Sequence, residues 1–259
     1  MNSYTKNLNR IEFLITLACT GRCKHCSEGD HTNAGCHIEG DAAAEMVRRV
    51  AERYNIESLM TFGGEPLLYP EEVYKIHTAA RNMGIPKRQL ITNGFFSRDS
   101  EKIQNVAGML AESGITDILL SVDAFHQETI PLELVMAFAE AILARKSARI
   151  LSHPAWLVSE EADNPYNYRT RDILKEFQAM GIESSSGNVI FPEGNALKYL
   201  GEYFDLSIPQ ESPYTEDPAD IHAICVNPDG GVLGNNIYKT NILEILESYD
   251  PGAGSKSNS

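Results

Sequence analysis

Short apolar runs alternate along the chain with stretches in which apolar positions recur every three or four residues. The runs at residues 11–17, 57–62, 89–92, 117–122, 149–157 and 188–191 predict six strands. Between them, five stripes predict helices: Val47, Val50, Ala51 and Tyr54; Val73, Ile76, Ala80 and Met83; Ile103, Val106, Ala107 and Leu110; Val135, Phe138, Ala139 and Ile142; Ile173, Leu174, Phe177 and Met180. The continuous Ile118, Leu119 and Leu120 predict a strand buried on both faces, and Pro154 weakens the fifth strand. Such an alternation reads as parallel βα units, because parallel strands need crossover connections. Residues 9–192 therefore form one α/β domain. A barrel and a doubly wound open sheet fit this rhythm equally, and both put chemistry at the C-terminal ends of the strands.

Beyond residue 192 the pattern changes. Residues 195–220 are rich in Pro, acidic and aromatic residues and read as a long irregular cover. Residues 221–226, with the turn at 228–231, predict a hairpin, and residues 241–249 a last short helix. The expected division is a core over 9–192, a C-terminal extension or lid over 193–249 and a disordered tail over 250–259.

Hydrophobic residues make up 42% of the 259 and charged residues 22%, which supports a folded chain with a substantial core. The formal net charge of −14 argues against a protein that grips nucleic-acid backbones. No apolar run is long enough for a membrane span, and the N-terminus lacks signal-peptide order, so a cytoplasmic location is expected. Five cysteines are too few for a disulfide scaffold, and their clustering points to metal or redox chemistry.

Cys19, Cys23 and Cys26, spaced CxxxCxxC, follow the first strand. Three thiolates in a tight loop can hold three irons of a cubane cluster and leave the fourth open. A structural zinc is the alternative, with Cys36, His25, His31 or His37 as fourth ligand. The second strand ends in Gly63, Gly64, Glu65 and Pro66. Two glycines let the backbone approach a ligand closely, and Glu65 offers a charge suited to an ammonium group. In a parallel sheet this turn faces the cysteine loop. Thr92 and Asn93, in ITNG, are polar groups at the third strand's end, or simply an Asn-Gly turn. Ser121 and Asp123, in LLSVDAFHQETIP, share one side of the fourth strand, while His126 reads as an ordinary loop histidine. Cys225 and Cys36 read as small buried hydrophobes, or as thiols near a substrate.

CTGRCKHC followed by GGEP at the end of the next strand resembles the radical S-adenosylmethionine (radical SAM) enzymes, over roughly residues 9–192. The resemblance implies a partial (β/α)6 TIM-type barrel with a short irregular C-terminal extension. It implies that Cys19, Cys23 and Cys26 bind a [4Fe-4S] cluster whose open iron is chelated by the amino and carboxylate groups of SAM. Gly63, Gly64 and Glu65 then match the segment that holds the SAM amino group. His25 lies where the family often has an aromatic beside adenine. Ser121 matches a contact to the SAM ribose or carboxylate, with Thr92, Asn93 and Asp123 nearby. The implied reaction is reductive cleavage of SAM to a 5′-deoxyadenosyl radical that takes a hydrogen atom from a peptide or small metabolite. An electron donor such as flavodoxin or ferredoxin is implied as a partner. NVIFPEGNA (188–196) and CVNPDGGVLGN (225–235) are similar to parts of members with a SPASM or twitch extension, although only Cys225 lies there, so an auxiliary cluster is not expected. Cys225 is the candidate that returns a hydrogen atom to a substrate radical. The alternatives are an activase that installs a glycyl radical on a partner protein, and a non-catalytic zinc or iron–sulfur module.

Overall fold

A computed structural model describes residues 2–29, 35–207 and 215–252 of the chain. Strands β1 (Arg10–Leu14), β2 (Ser58–Phe62), β3 (Lys87–Thr92), β4 (Asp117–Leu120) and β5 (Arg149–Ser152) alternate with helices α1 (Gly40–Arg53), α2 (Pro70–Asn82), α3 (Ser100–Ser113) and α4 (Leu132–Arg145). There follow β6 (Ala155–Trp156), α5 (Pro165–Ala179), β7 (Glu183–Ser184), β8 (Asn188–Val189), α6 (Gly194–Leu200), β9 (Ala223–Val226), β10 (Gly231–Val232), β11 (Asn235–Asn236) and α7 (Ile242–Ser248). Seven strands make one parallel sheet in the order β7-β5-β4-β3-β2-β1-β9, the curved sheet of a partial TIM-type barrel.

The predicted helices form where their stripes were read, and two of them, α3 and α5, start on a side-chain cap. Asp99 accepts the Glu101 N–H at the start of α3, and Asn164 accepts the Asn167 N–H ahead of Pro165 in α5. Alternate strand residues meet these helices. Ile11 and Phe13 of β1, Leu59 of β2, Leu90 of β3 and Ile224 of β9 join Val47, Ile76, Val106 and Phe138 in a single large core. Each fully buried side chain of this size contributes about 1.5–3 kcal/mol. The opposite face turns inward. One register row crosses it through Cys225, Glu12, Met60, Gln89, Asp117 and Arg149.

Four expectations change. The strand at 149–157 is two strands, broken after Ser152 at His153 and Pro154. The strand at 188–191 pairs with β6 in a small separate sheet, and the main sheet continues instead through β7. Residues 223–226 are not half of a hairpin: they lie parallel to β1 and form the sheet's other edge, while β10 and β11 make the hairpin. The cover at 195–220 begins as a helix, α6, whose Ala196 and Leu200 are buried. Residues 208–214 of that cover and 253–259 of the expected tail lie outside the described residues. Among the described residues no helix is long and apolar enough to cross a membrane.

His77 on α2 is fully buried and shares a 2.9 Å hydrogen bond between Nε2 and Thr61 Oγ1. Burial, aided by the Arg88 charge, pushes its pKa down to about 3. It stays neutral in the fold while the unfolded chain protonates near pH 6.5, so stability is lost as pH falls below that value. The expected contribution is about 2 kcal/mol less stability at pH 5 than at pH 7. Urea unfolding at both pH values should show this difference shrink in His77→Gln, and an unchanged pH dependence would refute the assignment.

Candidate active site

The loop after β1 carries the three clustered cysteines. Cys26 N–H donates to the Cys23 carbonyl and Gly29 N–H to that of Cys26, both at 3.3 Å, so the loop is a run of tight turns. The Arg22 guanidinium donates to the Cys19 and Gly21 carbonyls, both at 2.7 Å. None of the three cysteines is in a disulfide, and Cys23 is buried. Burial pushes all three thiols up, Cys19 to about 11, and a charge on one disfavours charges on the others. Three soft donors within Coulombic reach of one another are stable as thiols and ionise only against a cationic partner. That chemistry fits iron held by three thiolates.

The glycine turn lies against this loop. Gly64 N–H donates to the Thr16 carbonyl and Glu65 N–H to that of Ala18, both at 2.7 Å. A Cβ on Gly63 would stand 2.6 Å from Thr16 O, and one on Gly64 2.2 Å from Ala18 O. Any side chain would force the two strand ends apart. Glu65 is fully buried, and its carboxylate accepts from Thr92 Oγ1 (2.7 Å), Asn93 N (2.8 Å) and Leu67 N (2.9 Å). Burial pushes its pKa up to about 7. Its hydrogen bonds to Thr92 and Asn93 tie the end of β2 to the end of β3. Asn93 also donates from Nδ2 to Thr20 Oγ1 (3.2 Å) and to Cys19 Sγ (3.6 Å), so ITNG reaches the cysteine loop directly.

Ser121 is buried at the end of β4, with its N–H on the Thr92 carbonyl at 2.8 Å. Asp123 is buried too. It accepts from Phe125 N and His126 N (both 2.9 Å), Ala155 N (3.0 Å) and His126 Nδ1 (2.7 Å). Burial alone would raise its carboxyl, but His126 beside it holds it below the usual carboxylate range. The His25 ring lies 5.1 Å from Phe125 and 4.7 Å from His126, and its Nδ1 is buried without a hydrogen-bond partner. Burial and the His126 charge push His25 down to about 4.

His126 is more than a loop histidine. Its ligand atom, that of His25 and Cys23 Sγ all lie within 4.8 Å of one another. Of the fourth-ligand candidates for zinc, only His25 joins this group. His37 stacks on Tyr69 at 4.1 Å, Cys36 is exposed, and His31 lies outside the described residues. Sequence reading also missed His153, just beyond β5. Its Nδ1 bonds Ser185 Oγ at 2.8 Å, and its Nε2 is buried without a partner. The available signal was its position at a strand end, beside a proline.

Cys225 sits on the inner face opposite Glu12, open to water yet surrounded by the concave sheet. The surrounding protein, then the Glu12 charge, pushes its pKa up to about 12. A cleft of about 680 Å³ opens beside the ends of β1 and β9, lined by Leu14, Leu17, Glu28, Cys36, Asn227 and Asp229.

The profile of the Radical SAM superfamily matches residues 13–195. A probable GTP 3′,8-cyclase of Saccharolobus islandicus (strain L.S.2.15) is 25% identical over 223 residues, covering 79% of this chain and 67% of the relative. The GTP 3′,8-cyclase of Actinobacillus pleuropneumoniae is 29% identical over 113 residues, 42% of this chain and 31% of its own. Among solved structures, native anSMEcpe with bound AdoMet gives a TM-score of 0.57 at 16% identity, covering 93% of this chain and 81% of that one. Streptococcus suis SuiB bound to precursor peptide SuiA gives 0.55 at 14% identity, covering 97% and 67%. At these identities the structural likeness is one of fold. The profile match takes in well over half of the 259 residues, and the chain belongs to the radical SAM superfamily.

Proposed function

We propose that this radical SAM enzyme acts on a peptide or a small metabolite admitted through the cleft beside β1 and β9. The observation that carries the reading is the close packing of the glycine pair at the end of β2 against the start of the loop that carries three unbridged, buried or half-buried cysteines. Cys19, Cys23 and Cys26 would hold the [4Fe-4S] cluster. The backbone of Gly63, Gly64 and Glu65 would receive the amino group of SAM. Thr92, Asn93, Ser121 and Asp123 line the neighbouring strand ends. His25, backed by Phe125, offers a ring face to the adenine. When bound, the cluster and SAM supply reductive cleavage and a 5′-deoxyadenosyl radical.

The chain's own work is to orient the target carbon and keep other hydrogen donors away. The candidate to return a hydrogen atom is Cys225, a thiol on the inner face of the sheet opposite Glu12. The substrate class follows the relatives in outline. SuiB is seen with a peptide and BtrN with 2-DOIA, on folds like this one, and the curated relatives are GTP cyclases. A cleft of about 680 Å³ is of the size that holds a metabolite or a few peptide residues.

The test is anaerobic reconstitution with iron and sulfide, then SAM and dithionite. Deoxyadenosine should form in the native chain and in Cys225→Ala alike. With substrate, Cys225→Ala should block product only if the thiol returns hydrogen. The grouping of Cys23, His25 and His126 favours a zinc module as the second reading. Bound zinc, with neither deoxyadenosine nor a cubane signal, would establish that reading instead.

A further inference from the structure

The segment at 188–196 has no part in the chemistry above, yet its end grips the cysteine loop. The Asn195 N–H donates to the Cys26 carbonyl at 2.9 Å. Its carboxamide Nδ2 donates to the carbonyls of Cys23 at 3.3 Å and Gly29 at 3.4 Å. These three carbonyls recur every third residue along the two turns of the loop. The Cys23 and Cys26 carbonyls each accept one N–H within the turns, and each has a second lone pair for a further donor. Asn195 adds donors to Cys23, Cys26 and Gly29 from a buried position.

Gly194 makes the approach possible. Its φ is +51°, and a Cβ there would stand 2.2 Å from Ser27 O and 2.8 Å from Cys26 O. Behind it, Ala196 and Leu200 pack with Phe125, Leu157 and Ile190 in an apolar cluster separate from the main core. The grip is thus anchored on α6, 172 residues along the chain from Cys23.

We infer that Asn195 is a positioning residue for the cysteine loop, fixing the carbonyls of Cys23, Cys26 and Gly29 and so the direction of the Cys23 and Cys26 thiols. The inference rests on the reading that these cysteines hold the cluster. An asparagine meets the need because its short carboxamide carries two hydrogens for two carbonyls. Aspartate of the same shape carries none when ionised, and serine carries one. Groups that orient metal ligands commonly change metal affinity by about 10–100-fold when removed.

The experiment follows iron release to a chelator from anaerobically reconstituted chains. Release should be about 10–100-fold faster in Asn195→Asp than in the native chain, and intermediate in Asn195→Ser. The thermal midpoint of the cluster-free Asn195→Ser chain should stay near the native value, which separates positioning from folding. The EPR spectrum of the reduced cluster should broaden or shift in both variants. If Asn195→Asp does not fold, Asn195→Ser decides the matter. Native release rates and native spectra in the folded variants overturn the inference while leaving the cluster reading intact. A native chain that takes up no cluster overturns both.

Discussion

Alanine at Cys19, Cys23 or Cys26, one at a time, is expected to bring deoxyadenosine formation down to the buffer background. The expected loss is roughly a thousandfold or more, about 4 kcal/mol of barrier. The reason is the donor set. The loop brings these three thiols within electrostatic reach of one another. Removing one leaves two thiolates for a cluster that needs three anchors, so iron is lost and electron delivery with it. The contrast with the remaining cysteines makes the test specific. Cys36 is exposed at the rim of the cleft and Cys225 lies on β9, so Cys36→Ala and Cys225→Ala should keep SAM cleavage near the native rate. His126→Ala adds a second contrast. It should load a cluster if three cysteines suffice, and fail to hold metal if the site is the mixed group of Cys23, His25 and His126. Turnover retained without one of the three cysteines would refute the cluster assignment.

What the sequence made legible follows from locality. The core strands announce themselves because both faces are covered, so Ile118, Leu119 and Leu120 read as one apolar run. The cysteine and glycine motifs are also local. Their spacing alone locates two loops, and parallel pairing of β1 with β2 brings those loops together. The parts that could not be read depend on partners far along the chain. β7 is two exposed residues, Glu183 and Ser184, whose place is set by pairing with β5 and not by any pattern of their own. β9 finds β1 across more than 200 residues, where a nearby PDGG turn suggested a local hairpin instead. At the site, Ser121 and Asp123 are both buried just beyond β4, where strand alternation says nothing about which donors each will meet. Glu65 shows the same limit. A carboxylate beside two glycines suggested a bare charge for an ammonium group, whereas Thr92 and Asn93 at the end of β3 and the Leu67 N–H of its own turn donate to it.

Asp123 shows what such hidden partners contribute. Its carboxylate is buried and receives four hydrogen bonds from a turn, a histidine ring and the start of β6. Asp123→Ala should destabilise the cluster-free chain by about 3–5 kcal/mol, because it leaves the Phe125, His126 and Ala155 N–H groups and the His126 ring without their acceptor. Asp123→Asn should cost less. One oxygen can still accept from the turn, but its NH₂ then meets donors at the His126 ring and Ala155. Urea midpoints should fall in the order native, Asn, Ala with a constant m-value, and a change under about 1 kcal/mol for alanine would count against this role. The effect should reach the cysteines through the same turn. Thr129 Oγ1 accepts the Arg22 N–H at 3.1 Å, and Glu128 pairs with Lys24 at 3.0 Å. The second contact is exposed and contributes little by itself. The first holds the backbone between Cys19 and Cys23. A chain that loses the Asp123 brace should therefore release iron faster even at temperatures where it remains folded, because the residues that keep the loop in register have lost their own support.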